Sequence, residues 1–412
     1  MNDSQHATRL ERYADLLLRV GVNLQPGQKL MFRTTTEAVE LTRLVVAKAY
    51  QMGSPYVEVF WSDEGVTRAR FLHAPEGSFT NVPEHVAARM VQLAEEGAAS
   101  LAVSADDPDN LAGTDPKRMA TYLEHWRPLM KPYYELSMSD RVAWSGAAAA
   151  SPAWARRVFP GLPEDEALAR LWDAIFHAVR VDAADPVAAW REHTAALLAR
   201  KERLNERRYA ALRFRGPGTD LRVGLADGHQ WDGGASYTPG GVEFVANMPT
   251  EEVFTAPHRE RVDGVVRATK PLAYAGTLID GIEVTFANGV VTKAVAREGQ
   301  EALEHVLNTD PGARRLGEVA LVPASSPIAR TGLLFYETLF DENAACHLAL
   351  GQGYAMTLQG GQRMSAEERR AAGLNESLTH VDFMIGSDQV DVDGELPSGE
   401  LEPVMRAGEW VG

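Results

Sequence analysis

Strand and helix patterns alternate along the first half of this chain, and that alternation restricts the fold more than any other feature. Leu10 to Val20 sets Tyr13, Leu16, Leu17 and Val20 at helical spacing, and Pro26-Gly27 marks a turn. Lys29 to Arg33 then reads as a short strand. Glu37 to Met52 reads as an amphipathic helix stopped by Gly53, and Tyr56 to Trp61 as a buried strand. Strand–helix–strand order predicts parallel strands joined by crossover helices. The pattern continues with a helix over Glu84 to Glu96, a strand over Ala99 to Ser104, and helices over Lys117 to Leu129 and Glu164 to Val179.

A charged amphipathic helix over Pro186 to Arg208 closes this half, and the texture then changes. Turns at Gly216-Pro217-Gly218, Asp227-Gly228, Gly233-Gly234 and Gly240-Gly241 separate short β-type runs such as Leu221 to Leu225. Gly264 to Ala268, Gly281 to Phe286 and Val290 to Ala294 continue the strand-rich character, with Asn288-Gly289 as a hairpin turn. One helix, Gln300 to Leu307, interrupts it. The expected fold is an α/β N-terminal domain over residues 1–208, a parallel sheet with crossover helices. An α+β, strand-rich domain comes next over residues 209–412, in keeping with a length of 412 residues that exceeds one comfortable core.

A formal net charge of -16 argues against nucleic acid, since a phosphate backbone is bound by neutralising it with Lys and Arg. It equally disfavours docking on anionic membranes, although acidity also serves plain solubility. Cys346 is the only cysteine, which excludes an intrachain disulfide and a thiolate zinc cage. The start, Met1-Asn2-Asp3-Ser4-Gln5-His6, is polar, and no apolar run approaches the roughly 18 residues needed to span a bilayer. The chain reads as cytoplasmic. Neither GxGxxG after the first strand nor GxxxxGK[ST] occurs, so the first domain carries no nucleotide signature.

Chemistry concentrates in the second half. His73, His85, His125, His177, His193, His229 and His305 stand alone and read as solvated or structural. His347 and His380 have acidic neighbours. In His380-Val381-Asp382 the pattern is that of a strand, and residues two apart share a face, so imidazole and carboxylate converge; a structural His–Asp hydrogen bond is the other reading. In Asp341-Glu342-Asn343-Ala344-Ala345-Cys346-His347, Glu342 and His347 reach one pocket if a helix starts near Asn343 with a break. Five residues of regular helix would set them about 140° apart. Asp341 reads equally as an N-cap, and Cys346 as a small buried apolar residue. Thr250-Glu251-Glu252-Val253 puts two carboxylates beside apolar residues. Glu318 opens an apolar strand, where a lone charge is costly unless paired or metal-bound. Glu252, Glu318, Glu342, His347, His380 and Asp382 together suit a pair of divalent ions. A single zinc of the HExxH type is not indicated, because that motif is missing.

These segments resemble the thermophilic-type metalloaminopeptidases, the family of aminopeptidases T, S and II. The resemblance begins at Val20-Gly21-Val22-Asn23-Leu24-Gln25-Pro26-Gly27-Gln28 and passes Asp140-Arg141-Val142-Ala143-Trp144 and Phe214-Arg215-Gly216-Pro217-Gly218-Thr219-Asp220-Leu221. It is strongest over Asn247 to Pro257, over Leu339 to Asn343 leading to His347, and over His380 to Gly386. It implies that Glu252, Glu318, Glu342, His347, His380 and Asp382 are metal ligands, with Glu318 as the bridge, and that Tyr354 belongs to the active site. It further implies two divalent ions (cobalt, zinc or magnesium), peptide substrates with a free N-terminus, and a homodimer. Two positions depart from the family pattern: Glu337, where Asn is expected, and Gly353, where Ala is expected. Both bear on side-chain preference.

The expected reaction is hydrolysis of the N-terminal peptide bond by a water activated between two ions. Glu251 reads equally as the general base or as a structural group. Tyr354 reads as a hydrogen-bond donor to the tetrahedral oxyanion, or as a core tyrosine. The rival readings are another two-metal hydrolase of amides or phosphoesters, and a non-enzymatic metal- or peptide-binding protein.

Overall fold

The computed structural model describes residues 3–274 and 276–411; Met1 and Asn2 of the polar start lie outside them. Two compact units divide the chain. One comprises Met1–Glu192 with Ala235–Pro249, the other His193–Gly234 with Thr250–Gly412, so the division falls within the helix Pro186–Arg207. No helix among the described residues is long and apolar enough to cross a membrane.

The first unit is the expected α/β layer. Strands Leu30–Thr35, Val57–Ser62, Ala99–Ser104 and Trp144–Ala148 pair in parallel, with Leu30–Thr35 between the next two. Met31 on one face of the central strand packs with Met90 and Leu93 of the helix Glu84–Glu95 and with Met130 and Tyr133 of the helix Pro116–Ser137. The sequence pattern ends that last helix at Leu129. In the structure it runs on through Pro128 and Pro132, because the apolar stripe continues into the core and outweighs the lost backbone hydrogen bonds. A fifth parallel strand, Asn247–Met248, comes from the distant segment and joins the edge at Trp144–Ala148.

The second unit is strand-rich. Eight antiparallel strands form one sheet, from Val290–Val295 through Pro257–Arg267 and Ala211–Gly216 to Glu409–Trp410. Its hairpin at Asn288-Gly289 has positive φ at both residues, 50° and 76°, as the expected turn demands. A second antiparallel sheet of four strands runs in the order Val253–Thr255, Leu316–Leu321, His347–Gly351, His380–Met384. Residues alternate across it. Val319, Leu321, Leu348, Val381 and Phe383 join the hydrophobic core that also holds Leu212, Phe214 and Val223 of the larger sheet. Each such buried side chain is worth about 1.5–3 kcal/mol. The opposite face is left for the residues between them.

Candidate metal centre

That opposite face carries Glu318, His347, His380 and Asp382. Glu318 stands across from Ala349, which stands across from Asp382 on the other side, so the two carboxylates flank one small residue. His347 lies two positions before Ala349 and His380 two before Asp382, each on the same face as its neighbour. Glu252 enters from the irregular segment just before the edge strand Val253–Thr255. Register thus brings five dispersed residues together.

The distances are short. His347 Nε2 lies 3.1 Å from Glu252 Oε2 and 3.4 Å from Glu318 Oε1. His380 Nε2 lies 3.8 Å from Glu318 Oε2 and 3.5 Å from Asp382 Oδ2. Two triplets result, Glu252–Glu318–His347 and Glu318–His380–Asp382, each with ligand atoms within 4.8 Å of one another. Glu318 belongs to both and turns one oxygen toward each. Glu342 stands outside these triplets. It is half-buried beside them, and desolvation of its carboxyl followed by the Glu252 and Asp382 charges raises its pKa well above the carboxylate range.

Both imidazoles are prepared in the same way. His347 Nδ1 donates to Ala345 O at 3.1 Å, and His380 Nδ1 donates to Gln352 O at 2.7 Å. With Nδ1–H engaged by these carbonyls, Nε2 is the nitrogen left facing the carboxylates, and it would exchange its proton for an ion bound there. Burial raises the Glu318 pKa to about 6, with the neighbouring His347 opposing and Asp382 and Glu252 adding to the shift. Burial disfavours the charged form of His380, yet the Asp382 contact, the Glu318 charge and the Gln352 carbonyl together outweigh it and bring the pKa to about 9.

Divalent metal fits this donor set. Four neighbouring carboxylates, three buried and one half-buried, are mutually repulsive, and cations relieve them. Asp382 Oδ1 is buried without a hydrogen-bond partner, and Glu252 Oε2 makes none despite its closeness to His347. Oxygen and nitrogen donors without sulfur suit hard-to-borderline ions. Cys346 is not among them; its thiol faces the core and donates to Val322 O at 3.3 Å.

The segment before His347 departs from expectation. The sequence reading places a helix near Asn343, with His347 one turn inside it. Instead the helix Thr338–Asp341 precedes Glu342, a single 3-10 turn covers Glu342–Ala344, and His347 begins a strand. All five strand residues are buried on both faces, so no polar alternation marks them as a strand. Asp341 does not cap the turn after it: its carboxylate accepts from Phe335 and Glu337 N–H behind it, at 2.7 and 3.2 Å.

Around the triplets lie the expected Glu251 and Tyr354, together with Asn343 and His193, which the chain's pattern did not single out. Glu251 N–H donates to Asn343 Oδ1 at 2.7 Å. His193 sits 3.6 Å from Glu251 Oε2 and hydrogen-bonds Thr250 O at 2.7 Å, so this apparently isolated histidine stands beside a candidate base. Its signal was its place on the charged helix, which is too weak to read. The Tyr354 ring lies 4.8 Å from the His380 ring, and burial followed by the Glu318 charge pushes its hydroxyl pKa far up.

A family profile described as thermophilic metalloprotease (M29) matches residues 6–410. The chain is 50% identical over 402 residues to aminopeptidase T of Thermus aquaticus, covering 98% of each. It is 48% identical to aminopeptidase 2 of Geobacillus stearothermophilus, covering 98% of this chain and 97% of that one. The solved structure of wild-type AmpT from Thermus thermophilus superposes with a TM-score of 0.93 at 49% identity, over 98% of this chain and 99% of the other. By its full-length match to the profile and these relatives, the chain belongs to the thermophilic metalloprotease (M29) family.

Proposed function

We propose that this chain is a metal-dependent aminopeptidase that removes N-terminal residues from peptides at a centre of two divalent ions, with residues 209–412 as its catalytic domain. The observation that carries the reading is the Glu318 carboxylate, whose two oxygens serve two separate donor triplets. Glu252, Glu318 and His347 would hold one ion, and Glu318, His380 and Asp382 the other, with Glu342 completing the set. Bound cobalt, zinc or magnesium would supply Lewis acidity and a water of lowered pKa. The names of the relatives, aminopeptidase T and aminopeptidase 2, support release of single N-terminal residues.

The chain's own groups divide the remaining work. Glu251 takes the proton of the attacking water, held in place by Asn343 and flanked by His193. Tyr354 donates its hydroxyl proton in a hydrogen bond to the carbonyl oxygen as that oxygen gains negative charge. The cluster of carboxylates draws the ammonium end of a peptide. A cytoplasmic homodimer completes the reading. The free, buried Cys346 accords with a reducing compartment, the dimer rests on family resemblance, and sedimentation of the purified protein tests it.

Metal analysis joined to a peptide assay tests the chemistry. Purified protein should carry two divalent ions per chain and cleave a peptide with a free amino end while sparing its N-acetylated form. Glu318→Gln should lose both metal and turnover. Equal cleavage of the acetylated peptide, or a fully active and metal-replete Glu318→Gln variant, would sink the proposal.

A further inference from the structure

Beside the strands that carry the triplets is a cavity of about 500 Å³ lined by three arginines, Arg259, Arg315 and Arg370, together with Asp310, Gln352 and Glu376. Arg259 is largely enclosed. Its side chain is 12% exposed, its Nε is buried with no hydrogen-bond partner, and its ion pair with the exposed Glu260 is a loose 3.8 Å. Burial, and then the charges of Arg370 and Arg315, pull its guanidinium below the usual range. The carboxylates in the wall do little to relieve it. Asp310 is committed to Ser377 Oγ and to the N–H groups of Leu378, Gly312 and Ala313, while Glu376 is exposed.

Three like charges around one cavity are unfavourable unless an anion meets them, and guanidinium forks match carboxylates in shape. The cavity also adjoins the metal centre through the chain. Gln352 lines it, and the Gln352 carbonyl accepts the Nδ1–H of His380. Arg315 immediately precedes the strand Leu316–Leu321; across the bulge between Leu316 and Glu318 it stands beside Gly351, two positions from the Ala349 that faces Glu318, roughly 7 Å of strand to which the long arginine side chain adds reach. An extended tripeptide spans a length of that order.

We propose that Arg259, Arg315 and Arg370 form a carboxylate subsite that takes the free C-terminus of a short peptide whose amino end lies at the metal centre. The inference rests on the aminopeptidase reading and deepens it: the protein prefers peptides of a few residues over long chains. Arg315 has a second role, since its Nη1 donates to Arg259 O and ties the two arginines together. Arg370, on the exposed face of the helix Ala366–Ala371, is the variant least tied to folding.

The test compares Leu-Gly-Gly with its C-terminal amide. The wild-type protein should favour the acid by about tenfold or more in kcat/KM, expressed in KM rather than kcat. Arg370→Gln and Arg259→Gln should bring that ratio toward one, and Arg370→Lys should restore part of it. Calorimetry of Leu-Gly-Gly with the metal-depleted protein supplies a second readout, with binding expected in the wild type and lost in Arg370→Gln. An acid-to-amide ratio unchanged by either substitution overturns the subsite. So does full recovery of rate by an amidated peptide that carries an Asp side chain. If the metal-loaded protein cleaves no peptide at all, the aminopeptidase reading falls, and calorimetry still decides the subsite on its own.

Discussion

Glu251 and Glu252 are adjacent in the chain and face different partners, so substituting one at a time separates proton transfer from ion binding. Glu251→Gln should retain metal and lose about 10²- to 10⁴-fold in kcat, the usual worth of a positioned base. Metal content and single-turnover rates measured on the same sample check this, and unimpaired turnover would reduce Glu251 to a structural group. Asn343 supports it from 92 positions away. The side chain is fully buried, its Oδ1 accepting from Glu251 N–H and its Nδ2 donating to Leu339 O at 2.9 Å. Asn343→Ala orphans both partners and should cost about 1–3 kcal/mol in a urea titration, with a fall in kcat alongside. The difference in legibility comes from chemistry. A carboxylate opening an apolar strand, or His and Asp two apart in one, is conspicuous because burying charge is costly. His193 and Asn343 gain their roles only from neighbours that the fold brings from far away.

At the level of elements, periodicity is legible where one face is wet. The strand Ala99–Ser104 and the helix Gln300–Leu307 fall where their patterns predict. His347–Gly351 is hidden because it is buried throughout, and Asn247–Met248 because two residues give no period while the partner strand is about a hundred positions earlier. The larger sheet offers a pH test remote from the metal centre. Glu395, 13% exposed, is bound by Arg222 at 2.8 Å and by Arg213 at 2.8 Å, and these arginines hold its carboxyl down at about 2. Since the folded pKa lies below the unfolded value of about 4.3, the stabilisation is complete above that value. It fades as pH falls toward about 2. Glu395→Gln should therefore lose about 1–2 kcal/mol at pH 7, allowing for solvent screening of a surface ion pair, and almost nothing near pH 2. Urea midpoints of both proteins at pH 7, 4 and 2.5 check the convergence; a constant gap would contradict it.

Across the whole molecule, the two units differ in what holds them. The first buries aliphatic and aromatic side chains on both faces of a parallel sheet and has no group of three metal-capable side chains among its described residues. In the second, one face of the four-stranded sheet is apolar, while the other gathers Glu318, His347, His380 and Asp382 with Glu252 and Glu342 close by. A ligand that binds only the folded state stabilises by RT ln(1 + [L]/Kd), about 4 kcal/mol when present at a thousand times Kd. For a unit of roughly two hundred residues that corresponds to about 10 °C in Tm. Chelation should therefore lower the transition of the second unit by an amount that depends on the metal concentration beforehand, and leave that of the first in place. Differential scanning calorimetry before chelation, after it, and after metal is returned reads both transitions. Displacement of neither would mean that the carboxylate face is neutralised by its own protons and that the ions contribute nothing to the fold; equal displacement of both would mean that the stabilisation is not confined to the second unit.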